Sequence, residues 1–279
     1  MLAVLFLRGG GGNIAAYASQ GEKIIGVAYA GGKIYELDTS KPISKDQNNP
    51  ALISENEAIH RPRCAIAHQD NKHIIWGGFP AYGMVGGGLG IYHVEKQKKN
   101  TILPNERIVA NQSTVSIGML RNGNLIGGTS VETPGGAESQ AEEAGIYLFD
   151  WETKNVAYFH KPIRGTREIS QLYIDECDRV HGLTKESLYF VFDSKTKELT
   201  HLFDLGEYGN VVRNGFVYDD YKQLLICLLS HSVIQIDIQK DVQLKNIANL
   251  ASEATSGIVL HQGLLYYGSG SHLIGLEIE

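Results

Sequence analysis

Six short apolar segments end on an acidic residue: IYELD (34–38), IYHVE (91–95), IYLFD (146–150), YFVFD (189–193), VIQID (233–237) and LIGLE (273–277). Their acids, Asp38, Glu95, Asp150, Asp193, Asp237 and Glu277, follow one another at 57, 55, 43, 44 and 40 residues. A unit repeated at that period cannot bury its own apolar face and must stack on its neighbours. Upstream of each segment runs a second apolar strand, often with a glycine: KIIGVA (23–28), HIIWGG (73–78), NLIGGT (124–129), RVHGLT (179–184), QLLICLL (223–229) and LLYYGS (264–269). A further strand precedes each of these, from NIAAYAS (13–19) to SGIVLHQ (256–262), and a more polar one, such as NVAYFHK (155–161) or ELTHLFD (198–204), follows most. Turn pairs such as Gly31-Gly32, Asn122-Gly123 and Gln262-Gly263 supply hairpin chemistry between neighbours. No stretch keeps a helical period.

Four antiparallel strands repeated every 40 to 57 residues are the pattern of a propeller blade. The expectation is an all-β chain, a β-propeller of six four-stranded blades filling residues 1–279 as a single domain. The blades run over about 13–54, 63–110, 114–161, 167–204, 211–248 and 256–279. The last lacks a fourth strand, and LAVLFL (2–7) is a spare one that can pair beside 272–278 and close the ring. A seventh blade is the alternative if the chain is a piece of a longer one. An all-apolar LAVLFL at an outer edge also suggests cover by a partner or by a second copy.

Composition narrows the function classes. With 32 Gly, 7 Pro and 14 Tyr the chain is globular and rich in turns and β-formers. A net charge of -6 gives no global pull toward nucleic acid or an anionic membrane, so any anion site has to be local. Cys64, Cys177 and Cys227 are odd in number, far apart and each inside an expected strand, which reads as reduced, buried thiols. No HxH or HxxxH pair occurs among the ten His, so no metal site and no cofactor is expected, with a divalent ion held by His from several blades left as the alternative. LAVLFL has no basic n-region, is too short for a signal h-region and runs into Arg8 and four glycines. The chain as given is therefore expected in the cytoplasm, and in the periplasm or outside the cell if a leader has been removed.

The unequal spacing locates the additions. The interval from second-strand Gly or Cys to the acidic end is 11, 10 and 9 residues in the last three blades, but 17 from Gly78 to Glu95 and 23 from Gly127 to Asp150. The insertions FPAYGMVGGGLG (79–90) and SVETPGGAESQAEEAG (130–145), with the long linker 40–60, are expected on one rim of adjacent blades. Function in repeat folds gathers on such insertions. The blade-to-blade loops of that rim carry Arg8, His60, Arg61, Arg63, Asn111, Gln112, Ser113, Lys161, Arg164, Arg167, Tyr208, Asn210 and Arg213. Guanidinium forks suit carboxylate, sulfate or phosphate. A small anionic ligand or an oligosaccharide is the expected partner, bound by Arg61, Arg63, Asn111, Arg164, Arg167, Tyr208 and Arg213. Structural ion pairs to Glu132, Glu138, Glu168 or Asp219 are the competing use for any one Arg. GMVGGGLG (83–90) joins two strands and opens no helix, so it is not a dinucleotide fingerprint. Its glycines are expected to present Tyr82. Ser130 lacks a nucleophile elbow.

The segments GFPAYGMVGGGLGIYHVE (78–95) and LIGGTSVETPGGAESQAEEAGIYLFDWET (125–153) resemble a group of bacterial β-propeller proteins loosely placed with quinoprotein-like and Kelch-like propellers, which show a YG-x-x-GG-x-L loop and a GGTS loop at these places. The likeness covers roughly residues 60 to 195 and implies the fold. More distantly, the architecture is similar to propeller polysaccharide lyases acting on uronate-containing polymers. That resemblance implies Arg61, Arg63, Arg164 or Arg167 neutralising a uronate, with Tyr82 or His60 as catalytic base or acid. A ligand-binding propeller without a reaction, a uronate lyase and a protein-interaction scaffold are the three functional readings.

Overall fold

The computed structural model describes residues 13–29, 31–44, 46–96, 100–239 and 241–278. The segment 2–7 and its expected closing role lie outside the described residues, as does Arg8. The chain divides into two compact units, Met1–Val115 with Thr133–Gln140, and Ser116–Glu132 with Ala141–Glu279.

The first unit holds two antiparallel meanders in chain order. One is β1 (Asn13–Gln20), β2 (Lys23–Tyr29), β3 (Lys33–Asp38) and β4 (Ala51–Ser54); the other is β5 (Arg61–Ala67), β6 (His73–Phe79), β7 (Leu89–His93) and β8 (Asn100–Leu103). Their facing sides bury Ile25, Val27, Ile34, Ile74, Trp76 and Tyr92 in one core cluster, joined by Ile59 from the connection between the sheets. Each fully buried aliphatic or aromatic side chain here contributes about 1.5–3 kcal/mol over an exposed one. That burial is why the alternating segments stack.

The second unit continues the pattern. Its sheets are β9 (Ser113–Met119), β10 (Leu125–Ser130), β11 (Ile146–Asp150) and β12 (Asn155–His160); β13 (Ile169–Ile174), β14 (Arg179–Thr184), β15 (Leu188–Asp193) and β16 (Glu198–Asp204); β17 (Val211–Asp219), β18 (Leu224–Leu229), β19 (Ser232–Asp237) and β20 (Gln243–Asn249); and β21 (Ser256–His261), β22 (Leu264–Ser269) and β23 (His272–Glu277). The first three residues of β9 belong to the first unit. Separate core clusters fill the spaces between successive sheets, one around Ile126, Val180 and Phe190, one around Tyr189, Leu225 and Ile236, and one around Ile226, Leu228 and Leu265. The last sheet has three strands among the described residues. No helix among them is long and apolar enough to cross a membrane.

The structure explains the recurrent acids. Four of them close the turn after their strand by accepting backbone N–H groups two or three residues on: Ser40 N–H to Asp38 Oδ1 (3.1 Å), Thr153 N–H to Asp150 Oδ1 (2.7 Å), Lys195 and Thr196 N–H to Asp193 Oδ1 (2.8 and 3.0 Å), Gln239 N–H to Asp237 Oδ1 (2.9 Å). In the second sheet that job falls to His93, whose Nδ1 accepts from Glu95 and Lys96 N–H at 3.3 Å. Its cross-strand partner is His73, just as Asp38 faces Lys23 and Asp193 faces Arg179. The second repeat is thus aligned on His93, and Glu95 lies beyond the strand.

Two further expectations are corrected. Residues 39–50 connect β3 to β4, at the opposite end of β3 from the β2–β3 turn, because 51–54 form a strand. Only 55–60 of the long linker therefore shares an end with the 80–88 connection. Cys177 is exposed in the turn between β13 and β14, whereas Cys64 is half-buried in β5 and Cys227 buried in β18, where burial pushes its thiol up.

The glycines of the second strands have a steric reason. Gly127 faces Tyr147 and Gly182 faces Phe190 across the ladder, and each ring lies flat over its glycine. In the second sheet the roles reverse, with the Trp76 indole over Gly90. Glycine makes the bed on which the aromatic of the neighbouring strand is buried.

His181 is fully buried in β14. Tyr189 Oη lies 2.6 Å from its Nδ1, and Asp175 Oδ2 lies 3.4 Å from its Nε2. A neutral ring protonated on Nε2 satisfies both, donating to Asp175 and accepting the tyrosine proton. Asp175 also accepts from Arg179 Nε at 2.6 Å, and the Arg179 guanidinium reaches the Ile238 carbonyl. Burial raises the Asp175 carboxyl, but the bonds from His181 and Arg179 outweigh it and hold it at about 2. Burial lowers His181, against the pull of Asp175. The folded state thus refuses a proton that unfolded His181 accepts below about pH 6.5. Stability contributed by the neutral ring is present above that pH and lost as pH falls through it, by up to about 1.4 kcal/mol per pH unit. Urea unfolding of wild type and His181→Gln between pH 7.5 and 5 should show the steeper loss in wild type. Parallel curves would contradict this.

Candidate ligand site

The entry to β5 is tied down by local hydrogen bonds and burial. A single 3-10 turn, Glu57–Ile59, is capped by Asn56, whose Oδ1 accepts from Ala58 N–H at 2.7 Å, and Ile59 is anchored in the core. The His60 carbonyl accepts from Gly32 N–H at 3.1 Å. Gly32 has φ +57, and a side chain there would strike the Asn56 and Ile59 carbonyls, so the turn pins the backbone that carries His60 and Arg61.

The 80–88 connection is drawn tightly over this entry. Ala81 N–H donates to Glu57 O (2.8 Å), Gly88 N–H to Ala58 O (3.0 Å) and Gly87 N–H to Ser113 Oγ (2.9 Å). The glycine run at 86–88 permits that approach, since a Cβ on Gly86, Gly87 or Gly88 would meet Asn105, the Gly78 carbonyl or the Leu103 carbonyl. The loop leaves Tyr82 69% exposed.

Beneath Tyr82 lies Arg61. Its Cζ is 4.2 Å from the centre of the Tyr82 ring, and the His60 ring stands edge-on to the same ring at 6.1 Å. The insertion between β10 and β11 completes the cover. Thr133–Gln140 packs as part of the first unit, and Gly83 N–H donates to Gly135 O at 3.1 Å. A Cβ on Gly135 would sit 3.2 Å from Arg61 Nη1 and 3.0 Å from Ala81 O, so the turn lies against the guanidinium. The turn is held by Gly136 N–H to Thr133 O (3.0 Å) and Thr133 Oγ1 to Ala137 O (2.5 Å). The two insertions singled out by their length thus meet.

Arg61 is 7% exposed, and its Nη1 is buried with no hydrogen-bond partner. No carboxylate among the described residues pairs with it. Moving an unpaired ion out of water costs several kcal/mol, and a desolvated cation–π contact returns only about 2. Arg63, two residues on, sits in the β5 bulge between Pro62 and Cys64, and its Cζ lies 5.4 Å from the Phe79 ring. Bulges re-aim side chains at sheet ends.

Asn111 takes a different part. It has φ +64, and its N–H donates to Asn105 Oδ1 at 2.9 Å, a turn-forming role. The other expected binding residues belong to the second unit. Arg167 is exposed and donates through Nε to Glu132 Oε1 (3.0 Å), which Lys185 Nζ also reaches (2.9 Å), so its charge is met by one of the acids anticipated for that purpose. Both cations, Lys185 first, lower the Glu132 carboxyl. Arg164 is exposed beside Gly165, Tyr208 ends the 3-10 turn Gly206–Tyr208, and Arg213 is exposed in the β17 bulge between Val211 and Phe216.

Elsewhere in the first unit, a cavity of about 250 Å³ opens between β3 and the 39–50 loop. Its charges satisfy one another: Lys23 reaches Asp38 (2.8 Å) and Glu36 (3.3 Å), Lys41 reaches Asp38 (3.0 Å), and Tyr92 Oη donates to Glu36 (2.6 Å). Arg61 has no such partner. Among the described residues no group of three His, Cys, Asp or Glu is placed to hold a metal.

No family model and no curated protein matches the chain. Among solved structures, the β-propeller domain of Cps50 (Swd1) from Myceliophteria thermophila is similar over 94% of this chain and 82% of that one, with a TM-score of 0.64 and 14% identity. With the six antiparallel meanders, that likeness shows the fold to be a six-bladed β-propeller.

Proposed function

We propose that this β-propeller is a recognition module, without a reaction of its own, that binds an anionic group of a small molecule or saccharide beside its second and third blades. The observation that supports the reading is the Arg61 guanidinium, a nearly buried cation with a bare Nη1, placed where the long connections between second and third strands meet. A fixed, partly desolvated guanidinium binds an oxyanion more strongly than one in water, and its fork adds orientation. The exposed face of Tyr82 offers a surface for an apolar ring face. The fold is equally consistent with a protein-interaction scaffold, in which an acidic side chain of the partner would present the same chemistry.

Titrating wild type and Arg61→Met with a panel of neutral and acidic sugars and small organic acids tests the proposal. Acidic members are expected to bind wild type saturably and the variant about a hundredfold more weakly, and acidic oligosaccharides are expected to be recovered uncleaved. Equal binding by both proteins would sink the site, and an unsaturated product would replace recognition by elimination, with Tyr82 and His60 as its acid and base.

A further inference from the structure

We infer that the anion taken at Arg61 is a carboxylate, and that it binds by displacing Tyr82 and the 133–137 turn from over the guanidinium; this rests on the recognition reading above. In the described conformation nothing from outside can reach Nη1, because Tyr82 lies across one side and Gly135 against another. Access therefore requires the cover to open.

The cover is built to open. Gly83 and Gly136 have φ +74 and +81 and nothing within 4 Å of where their side chains would be, so both loop tips border open space into which the cover can move. The Gly83 to Gly135 hydrogen bond links the two loops, and Tyr82 is exposed on its outer side, so little apolar surface is lost on parting. What holds Tyr82 down is its contact with the cation, and a carboxylate outbids a ring quadrupole for a guanidinium.

Charge selects the class of anion. Arg61 is a single positive charge with no ion pair among the described residues. One carboxylate neutralises it and matches its planar edge with two parallel hydrogen bonds. A phosphate dianion would leave a surplus negative charge in a covered place on a protein of net charge -6. A neutral amide would leave the cation uncompensated.

The test is NMR at constant ionic strength with propionate, inorganic phosphate and propionamide as probes, following the Gly83 and Gly135 amides and the hydrogen exchange of Gly83. Propionate should bind saturably, speed Gly83 exchange by breaking its bond to Gly135, and bind about tenfold tighter to Tyr82→Ala, which has less cover to displace. Phosphate and propionamide should bind at least tenfold more weakly. Propionate binding that Arg61→Met abolishes, with Gly83 exchange unchanged and Tyr82→Ala no tighter, would overturn the cover and leave the recognition reading standing. Phosphate binding tighter than propionate would overturn the carboxylate. If no probe binds wild type, both fall.

Discussion

Replacing Gly127 with alanine should destabilise the protein by about 3 kcal/mol, at the upper end for overpacking a filled core. The Tyr147 ring lies flat on Gly127, and the added methyl would overlap its Cζ, Cε1 and Oη. Tyr147 is 1% exposed and Gly127 faces it in the ladder, so the ring has no empty space to enter and the strand no freedom to slide. A slip of one residue would turn every side chain of β10 to the other face. The same argument applies to Gly182 under Phe190. Denaturant midpoints measure the loss, and the pair Gly127→Ala with Tyr147→Leu should recover part of it, because the clash needs both partners. A loss below about 1 kcal/mol in Gly127→Ala would show that the ring is not held where the structure puts it.

Arg61→Met should weaken binding of an acidic ligand by about a hundredfold. Removing one member of a buried charge pair costs about 2–5 kcal/mol, and about 2.7 kcal/mol corresponds to two decades in affinity. Arg61→Lys should fall between, since an ammonium restores the charge without the planar fork. Calorimetric or NMR titration of the three proteins reads the series. Equal losses for Met and Lys would say that the fork matters more than the charge. Unchanged affinity in Arg61→Met would remove the site.

The repeat and its six units were legible because burial on the inner faces of stacked sheets forces apolar alternation, and because a turn acid follows the third strand in most units. Glu95 misled by two residues for a physical reason: His93 Nδ1 accepts the same backbone protons as an aspartate oxygen, so the turn survives without the acid at that position. The linker before the second blade looked like one long loop because β4 is only four residues long and its sequence, ALIS, carries no alternating signal of its own. The exposure of Cys177 was hidden by the apolar run before it, where Asp175 in fact starts the turn by accepting the Cys177 N–H.

The site was half legible. Excess length marked both insertions, and charge marked Arg61, but nothing along the chain showed that residues 133–140 would pack with the first unit and put Gly135 against Nη1. Nor could the chain separate Arg61 from Arg167. Both stand at the start of a first strand or just before it, and only folding brings Glu132 to Arg167 while leaving Arg61 without a carboxylate. Asn111 shows the same limit, since its left-handed backbone explains its presence without a ligand.

The central claim is that Arg61 is a covered cation whose counter-charge comes from outside the protein. Ligand-free unfolding of wild type and Arg61→Met tests it directly. If the claim holds, Arg61→Met is at least as stable as wild type, by about 1 kcal/mol more, because methionine fills the space beneath Tyr82 without an ion to desolvate. A loss of about 3 kcal/mol or more in the variant would mean that Arg61 already has a partner within the fold, and would contradict the account.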